Sequence, residues 1–196
     1  MNETKIVLEG ITVGGKTMRE HLEVLNHQET ILYVEEVIRK QEPFSQSQIK
    51  NLHQLVLNVI NDRYAGIYRN QQVFISSASH TPPPPLKISE QMEHLIEWYK
   101  NEAQEMHPIV RRSILHIIFV GIHPFIDGNG RTARLLLNLE LMKSGYPPVI
   151  IRVENRLDYY NALDKACSTE DYKDFIELVS KEVEVSLYLY LYLNVL

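Results

Sequence analysis

Cysteine is almost missing from this chain. A single one, Cys167, occurs in 196 residues, which excludes an internal disulfide and a cysteine-rich zinc site and points to a reducing compartment. An excess of basic charge is also missing. Lys and Arg total 20 against 25 Asp and Glu, a formal charge of -5, so the protein as a whole is no electrostatic match for nucleic acid. No apolar run approaches the roughly 20 residues that cross a bilayer. The N-terminal stretch carries Glu3, Glu9 and Glu20 and lacks the apolar core of a signal peptide. There is no internal repeat, and no low-complexity tract beyond Pro82–Pro85. What remains is ordinary globular composition, 44% apolar and 23% charged. It predicts one cytoplasmic domain with neither nucleic acid nor membrane as partner.

Apolar spacing sets the class. Leu22, Leu25, Ile31, Leu32, Val34 and Ile38 fit a helical face, as do Leu52, Leu55, Val56, Val59 and Ile60 behind a cap at Ser45 or Ser47. Met92, Leu95, Ile96 and Tyr99 give a third helix. Between Ile109 and Ile122 apolar residues surround the axis, as in a central helix buried on most sides. Arg131 to Lys143 is Leu-rich and exits at Gly145 before Pro147 and Pro148. Further helices are expected near 156–167 and 171–187. Two segments resist. Ile67 to Ile75 reads as a short β-hairpin with a polar Asn70-Gln71-Gln72 turn, followed by stiff polyproline. Leu187 to Leu193 alternates Leu and Tyr, which fits a terminal strand or a last helical stretch and makes a candidate contact surface for a partner or a second copy.

One segment carries the chemistry: His123-Pro-Phe125-Ile-Asp127-Gly128-Asn129-Gly130-Arg131-Thr-Ala-Arg134. Pro124 keeps His123 out of helical geometry where the buried helix ends, and Phe125 is the expected apolar anchor. Gly128 and Gly130 permit positive φ, so that backbone N–H groups converge beside a helix N-terminus that favours an anion. Arg131 and Arg134, three apart, share a face of the first turn. There they oppose the helix dipole by ~0.3–1 kcal/mol each, unless a polyphosphate partners them. Asp127 suits Mg²⁺, which prefers one or two carboxylates supplemented by phosphate oxygens. His123 has the side chain whose ordinary pKa lies nearest neutrality, as a general base requires.

His123 to Arg134 resembles the Fic signature, H-P-F-x-[DE]-G-N-G-R-x-x-R, at every defined position. The likeness runs through Gly145-Tyr146-Pro147-Pro148 and covers roughly Val13 to Val179. It implies an all-α Fic fold with a small β-hairpin flap, one domain over 1–196. The core would be about 13–180, with an N-terminal turn over 1–20 and a Tyr/Leu tail over 187–196. The activity it implies is transfer of AMP from Mg-ATP to a protein hydroxyl, with removal of AMP as a reverse activity. By that resemblance His123 is the catalytic base and Asp127 holds Mg²⁺. The same likeness puts Phe125, Gly128, Asn129, Gly130, Arg131 and Arg134 among the nucleotide-binding residues, the two arginines at the β/γ end. Tyr159, Tyr160 and Leu163 resemble the adenine pocket. Tyr68, Val73, Phe74 and Ile75 resemble a flap that holds the target by strand addition. Cys167 stands where relatives often carry an asparagine. Gly130-Arg131, where kinase-like relatives have Asn-Lys, favours AMP transfer over γ-phosphate transfer. The inhibitory pattern of many relatives, [ST]-x-x-x-E-[GN], is incomplete at Glu9-Gly10, where Lys5 fills the Ser/Thr slot, and at Ser180 to Glu184, where Val185 follows. A comparatively active transferase is the expectation.

Other readings compete. An EF-hand from Asp127 fails at Arg131, Thr132 and Asn138, and His116 and His123 lack the partners of a zinc site. Gly10 to Thr17 satisfies the phosphate-loop pattern G-x-x-x-x-G-K-[ST], with Ile6-Val7-Leu8 as a candidate strand before it. A P-loop NTPase using Lys16 is therefore an alternative, although the chain offers no strand ending in a metal-binding Asp. A silent interaction module of the same fold is the third reading. His53, His94 and His107 read as surface or packing residues.

Overall fold

A computed structural model describes residues 3–9, 12–76 and 78–193. Its helices are α1 (Glu3–Leu8), α2 (Met18–Arg39), α3 (Gln46–Leu57), α4 (Ile88–Asn101), α5 (Pro108–Ile122), α6 (Asn129–Met142), α7 (Arg156–Thr169) and α8 (Lys173–Leu193). Short 3₁₀ turns precede α4, α5 and α7. No strand occurs among the described residues. No helix among them is long and apolar enough to cross a membrane.

Helix α5 is the axis. Leu115, Phe119 and Ile122 face a core built with α2, α3, α4 and α6, which includes Val37, Ile49, Leu52, Met92, Leu95, Leu136 and Leu139. Its opposite side carries Ile117 into a second core with Leu137, Leu141, Tyr159, Leu163, Phe175 and Val179 from α6, α7 and α8. A helix apolar on most sides is thus sandwiched, and the turn at its C-terminal end is held from both. Each fully buried aliphatic side chain contributes about 1.5–3 kcal/mol, which makes that turn a fixed point of the molecule.

The phosphate-loop pattern dissolves into a helix start. Ile6-Val7-Leu8 lies in α1, where a P-loop needs a strand. Gly10 lies outside the described residues. Gly15 turns the chain at φ +80°, and Thr17 is the N-cap of α2 in a reciprocal capping box. Glu20 N–H donates to Thr17 Oγ1 (3.2 Å), and Thr17 N–H donates to Glu20 Oε2 (2.7 Å). Lys16 stands 3.8 Å from Glu3. These residues therefore start a helix and close on their own neighbours.

One other expectation changes, and one open choice is decided. Tyr68 to Ile75 does not form a hairpin: it is irregular backbone without a ladder, bent at Asn70 and Gln71. An isolated two-stranded hairpin is marginal in water, and here side chains take over the pairing. Arg69, almost fully buried, donates to Gln71 O (3.0 Å) and Pro83 O (2.6 Å), and Gln72 Nε2 donates to Pro82 O (2.9 Å). The Leu/Tyr tail is helical to Leu193 as the continuation of α8. Its Leu187 to Tyr192 side chains are exposed on all sides, so the alternation reflects no sheet face. Residues 194–196 lie outside the described residues. Of the two candidate caps for α3, Ser45 accepts from Gln48 N–H (3.3 Å).

Candidate active site

Helix α5 ends at His123, whose backbone is left-handed (φ 50°, ψ 58°). The residue before a proline is pushed out of the right-handed helical region, and a non-glycine residue at positive φ is uncommon and strained. The surroundings hold it there. His123 N–H still bonds Phe119 O (3.0 Å), and Arg69 Nε donates to His123 O (2.8 Å). Arg69 N–H donates to Pro124 O (2.9 Å). The imidazole is set by its own helix. Nδ1 faces Val120 O at 3.3 Å, and a carbonyl only accepts, so Nδ1 carries the proton and Nε2 keeps its lone pair. Burial first, then the nearby Arg69 charge, hold the His123 pKa below its ordinary value. The ring is neutral at pH 7, a state able to take a proton.

The next turn is bolted down. Phe125 has no exposed surface, and its ring stacks on His53 with centroids 3.6 Å apart and planes 3° from parallel. Asn129 folds its amide back onto Phe125: Phe125 N–H donates to Asn129 Oδ1 (2.9 Å), and Asn129 Nδ2 donates to Phe125 O (2.8 Å). His53 closes the loop from below. Its Nδ1 accepts Gly66 N–H (2.9 Å), so Nε2 carries the proton to Asp127 O (2.8 Å). Burial pushes its pKa down to about 4, consistent with a neutral ring. Gly128 sits at φ +77°, and a Cβ there would meet His53 Nε2 at 3.2 Å. Glycine is required twice over, by conformation and by space.

Helix α6 starts at Asn129, two residues before the expected Arg131. Gly130 is therefore helical, and of the two motif glycines only Gly128 has positive φ. Gly128, the N-cap, has no side chain to offer the first N–H groups of the helix. They open beside a cavity of about 560 Å³ whose lining includes His123, Gly130, Arg134, Tyr159, Tyr160 and Leu163, together with Ile75, His80, Asp164 and Cys167. The expected base, one arginine and the expected adenine-pocket residues therefore share one space.

The remaining expected residues lie elsewhere. Phe125 and Asn129, placed among the nucleotide-binding residues by their motif, are buried and act by fixing the turn. Asp127 and Arg131 form an ion network with α2: Arg19 Nη2 bonds Asp127 Oδ2, Arg131 Nη1 stands 3.0 Å from Glu23 Oε1, and Arg131 Nη2 stands 3.7 Å from Asp127 Oδ1. Partial burial raises the Asp127 pKa, but Arg19, the Gly128 N–H and Arg131 outweigh it and keep the carboxylate below its ordinary value. One ionised carboxylate fits Mg²⁺ held mainly by phosphate oxygens. Among the described residues no cluster of three or more His, Cys, Asp or Glu side chains would hold a metal unaided. Tyr68 packs its ring on Phe125 (centroids 5.4 Å) and bonds Gln46 Oε1 (3.1 Å), whereas Phe74 is exposed.

Several site-building residues gave little sign in the sequence. Asp164 Oδ1 accepts Ser79 N–H (2.7 Å) and His80 N–H (3.1 Å), and His80 Nε2 donates to Gly121 O (2.8 Å), which ties the 75–80 segment to the cavity it lines. His53 was detectable as a polar residue on the buried face of α3, between Leu52 and Val56. Arg19, Glu23, Arg69 and Asp164 carry no local pattern that marks them.

Three comparisons bear on this geometry. The family model described as Fic, Fic/DOC family, matches residues 43–141. Protein adenylyltransferase Fic of Nematostella vectensis is 40% identical over 194 residues, 97% of this chain and 45% of that one. Protein adenylyltransferase fic-1 of Caenorhabditis elegans is 36% identical over 195 residues, 97% of this chain and 38% of that one. The chain thus spans less than half the length of these curated relatives. Among solved structures, Fic-1 from C. elegans superposes with a TM-score of 0.87 at 35% identity, covering 96% of this chain and 56% of that one. A Fic domain containing signaling protein from Bacteroides thetaiotaomicron VPI-5482 gives 0.85 at 29% identity, covering 95% and 77%.

Proposed function

Since the chain belongs to the Fic/DOC family, we propose that it is a protein adenylyltransferase that moves AMP from Mg-ATP to a hydroxyl side chain of a target protein. The observation that carries this reading is the orientation of His123. Its proton is committed to Val120 O, and its unprotonated Nε2 belongs to a ring that lines the same cavity as Gly130, Arg134 and Tyr160.

The chemistry follows from those positions. A target hydroxyl oxygen attacks the α-phosphorus, the α–β phosphoanhydride bond breaks, and pyrophosphate leaves. The hydroxyl proton passes to His123 Nε2, which is neutral because burial lowers its affinity for a proton. The first N–H groups of α6 and Arg134 meet the charge on the phosphates, and preorganised donors of this kind are the main catalytic resource in phosphoryl transfer. Asp127 would hold Mg²⁺, which supplies charge neutralisation to the phosphates when bound. The half-buried Tyr160 and buried Leu163 offer the apolar wall an adenine ring requires. The 72–75 segment, with Phe74 exposed, is the surface on which a target backbone would add as a strand. All of this sits in one Fic domain.

Label transfer tests the reading. With ATP and Mg²⁺, label from the α-position and not the γ-position should enter protein, and His123→Ala should abolish it. Label from the γ-position alone would overturn AMP transfer. Nucleotide binding without any transfer to self or to a lysate would favour the silent interaction module.

A further inference from the structure

The base and the loop beside it meet at one side chain. His123 keeps a left-handed backbone (φ 50°, ψ 58°), and a non-glycine residue stays there only when its surroundings over-determine it. Arg69, 3% exposed, supplies much of that constraint. Its Nε donates to His123 O (2.8 Å), and its Nη2 approaches Ile122 O (3.5 Å) at the end of α5. Its backbone N–H donates to Pro124 O (2.9 Å). The same guanidinium also reaches the loop. Nη1 donates to Gln71 O (3.0 Å) and Nη2 to Pro83 O (2.6 Å). Those two carbonyls form the neck of the loop that carries Phe74, and Gln72 Nε2, donating to Pro82 O (2.9 Å), closes the same neck. Among the described residues every hydrogen-bond partner of the guanidinium is a backbone carbonyl. Burying a cation on carbonyls alone is costly. A lysine would serve to cap the end of α5, whereas only a rigid fork joins three chain segments at once.

We propose that Arg69 is a positioning residue for His123: one guanidinium holds the base turn and the neck of the 71–83 loop as a unit, so that Nε2 keeps a fixed place relative to the segment on which a target would dock. The imidazole leaves the chain at the strained position, so a relaxation of φ and ψ there carries the whole ring with it. Val120 O sets the rotation of the ring, and Arg69 sets the backbone from which the ring starts. Arg69 does not line the cavity, so it reaches the reaction only through His123, and its effect falls on transfer rather than on nucleotide binding. The inference rests on the reading of His123 as the base.

Two variants of the full chain test it. Arg69→Met keeps the length of the side chain and removes every donor. Arg69→Lys keeps the charge and a donor but cannot bridge the base turn and the loop. Transfer from α-labelled ATP with Mg²⁺, into the chain itself or lysate acceptors, gives the rate at saturating ATP, and calorimetry gives ATP affinity. The rate should fall about 100-fold in Arg69→Met, the loss expected when a catalytic group is displaced by about 1 Å, and about tenfold in Arg69→Lys. ATP affinity should change less than about twofold in both, which also shows that the variants are folded. Nitrogen NMR should find the His123 ring protonated at Nδ1 in the wild type and in mixed tautomers in both variants. If Arg69→Met fails to fold, Arg69→Lys decides. An unchanged rate in a variant that binds ATP would overturn the inference. A loss of rate matched by an equal loss of ATP affinity in Arg69→Lys would overturn it as well, because Arg69 would then support the fold and nothing more. A ring that keeps one tautomer in both variants would also overturn it. That last readout holds even for a wild type that transfers no label, an outcome that defeats the functional reading instead.

Discussion

Lowering the pH from 7.5 to 5.0 should destabilise the fold through His116 by an amount that can be worked out. The buried ring titrates at about 3 in the folded protein, against about 6.5 when unfolded. Between those values the unfolded chain binds a proton that the folded one refuses, so stability is complete above the unfolded value and falls as pH drops through the window. At pH 5.0 the folded ring is still neutral, and the loss is set by the distance from 6.5 alone. That is about 1.5 pH units, or roughly 2 kcal/mol at 1.36 kcal/mol per unit. No discount for solvent screening applies, because His116 is 1% exposed. For a chain of this size the melting temperature should fall by about 4–8 °C from this group. Calorimetric melts of wild type and His116→Asn at both pH values isolate it. The variant starts less stable, but its fall between pH 7.5 and 5.0 should be smaller by about 2 kcal/mol. If both proteins lose the same stability over that range, His116 is not held neutral in the folded state.

Other perturbations separate the parts of the site. Asn129→Ala removes two buried bonds to the Phe125 backbone and leaves both groups unpaired, so stability should fall by about 2–4 kcal/mol in a thermal melt. AMP transfer should fall with it, even though the side chain faces no ligand; an unchanged melting temperature would refute the assigned role. Arg19→Ala should raise the affinity of nucleotide-free protein for Mn²⁺, read by electron paramagnetic resonance, by about two- to fivefold, since it frees Asp127. The same change should cost less than about 1 kcal/mol of stability because the Arg19 side chain is half exposed. Lys16→Ala should leave ATP affinity unchanged, and a large loss would restore the phosphate-loop reading.

Helix positions were legible from apolar spacing, and the central helix announced itself by being apolar on most sides. In α2 the spacing did not give the buried face, since Leu25, Ile31 and Leu32 are exposed while Asn26, Thr30, Val34 and Val37 are buried, and α3 ends at Leu57, before Val59 and Ile60. The family was legible because its signature is concentrated in twelve consecutive residues, His123 to Arg134, inside the matched stretch 43–141. What escaped is non-local or is decided by pairing. Ile67 to Ile75 has strand composition, but whether a ladder forms depends on a partner backbone, and Arg69 instead ties the segment to α5 and the prolines. Ile6-Val7-Leu8 has strand composition too and is held in a helix that buries Val7 against α2. The period-two tail left strand and helix open for the opposite reason: at the exposed end of α8 no burial acts on it, so alternation carries no structural information. Asn129 belongs to the motif yet spends its side chain on the fold, a division that residue identity does not reveal.

That division extends across the loop and explains how one segment can be both rigid and responsive. His123 is held by buried groups, Arg69 and Val120 O. Asp127 and Arg131 are held by the exposed or half-exposed Arg19 and Glu23 of α2. Pairs of that second kind are individually worth about 0–1 kcal/mol, far less than a divalent cation or a phosphate gains from the same groups. On the proposed function, the site is stiff at His123, where an attacking oxygen would be positioned. It is exchangeable at Asp127 and Arg131, where charge would be handed from protein partners to a cation and a polyphosphate. Arg19 and Glu23 keep Asp127 and Arg131 neutralised and extended in the absence of ligand, which lowers the electrostatic cost of holding two arginines at the start of α6. Binding then replaces weak contacts instead of breaking strong ones.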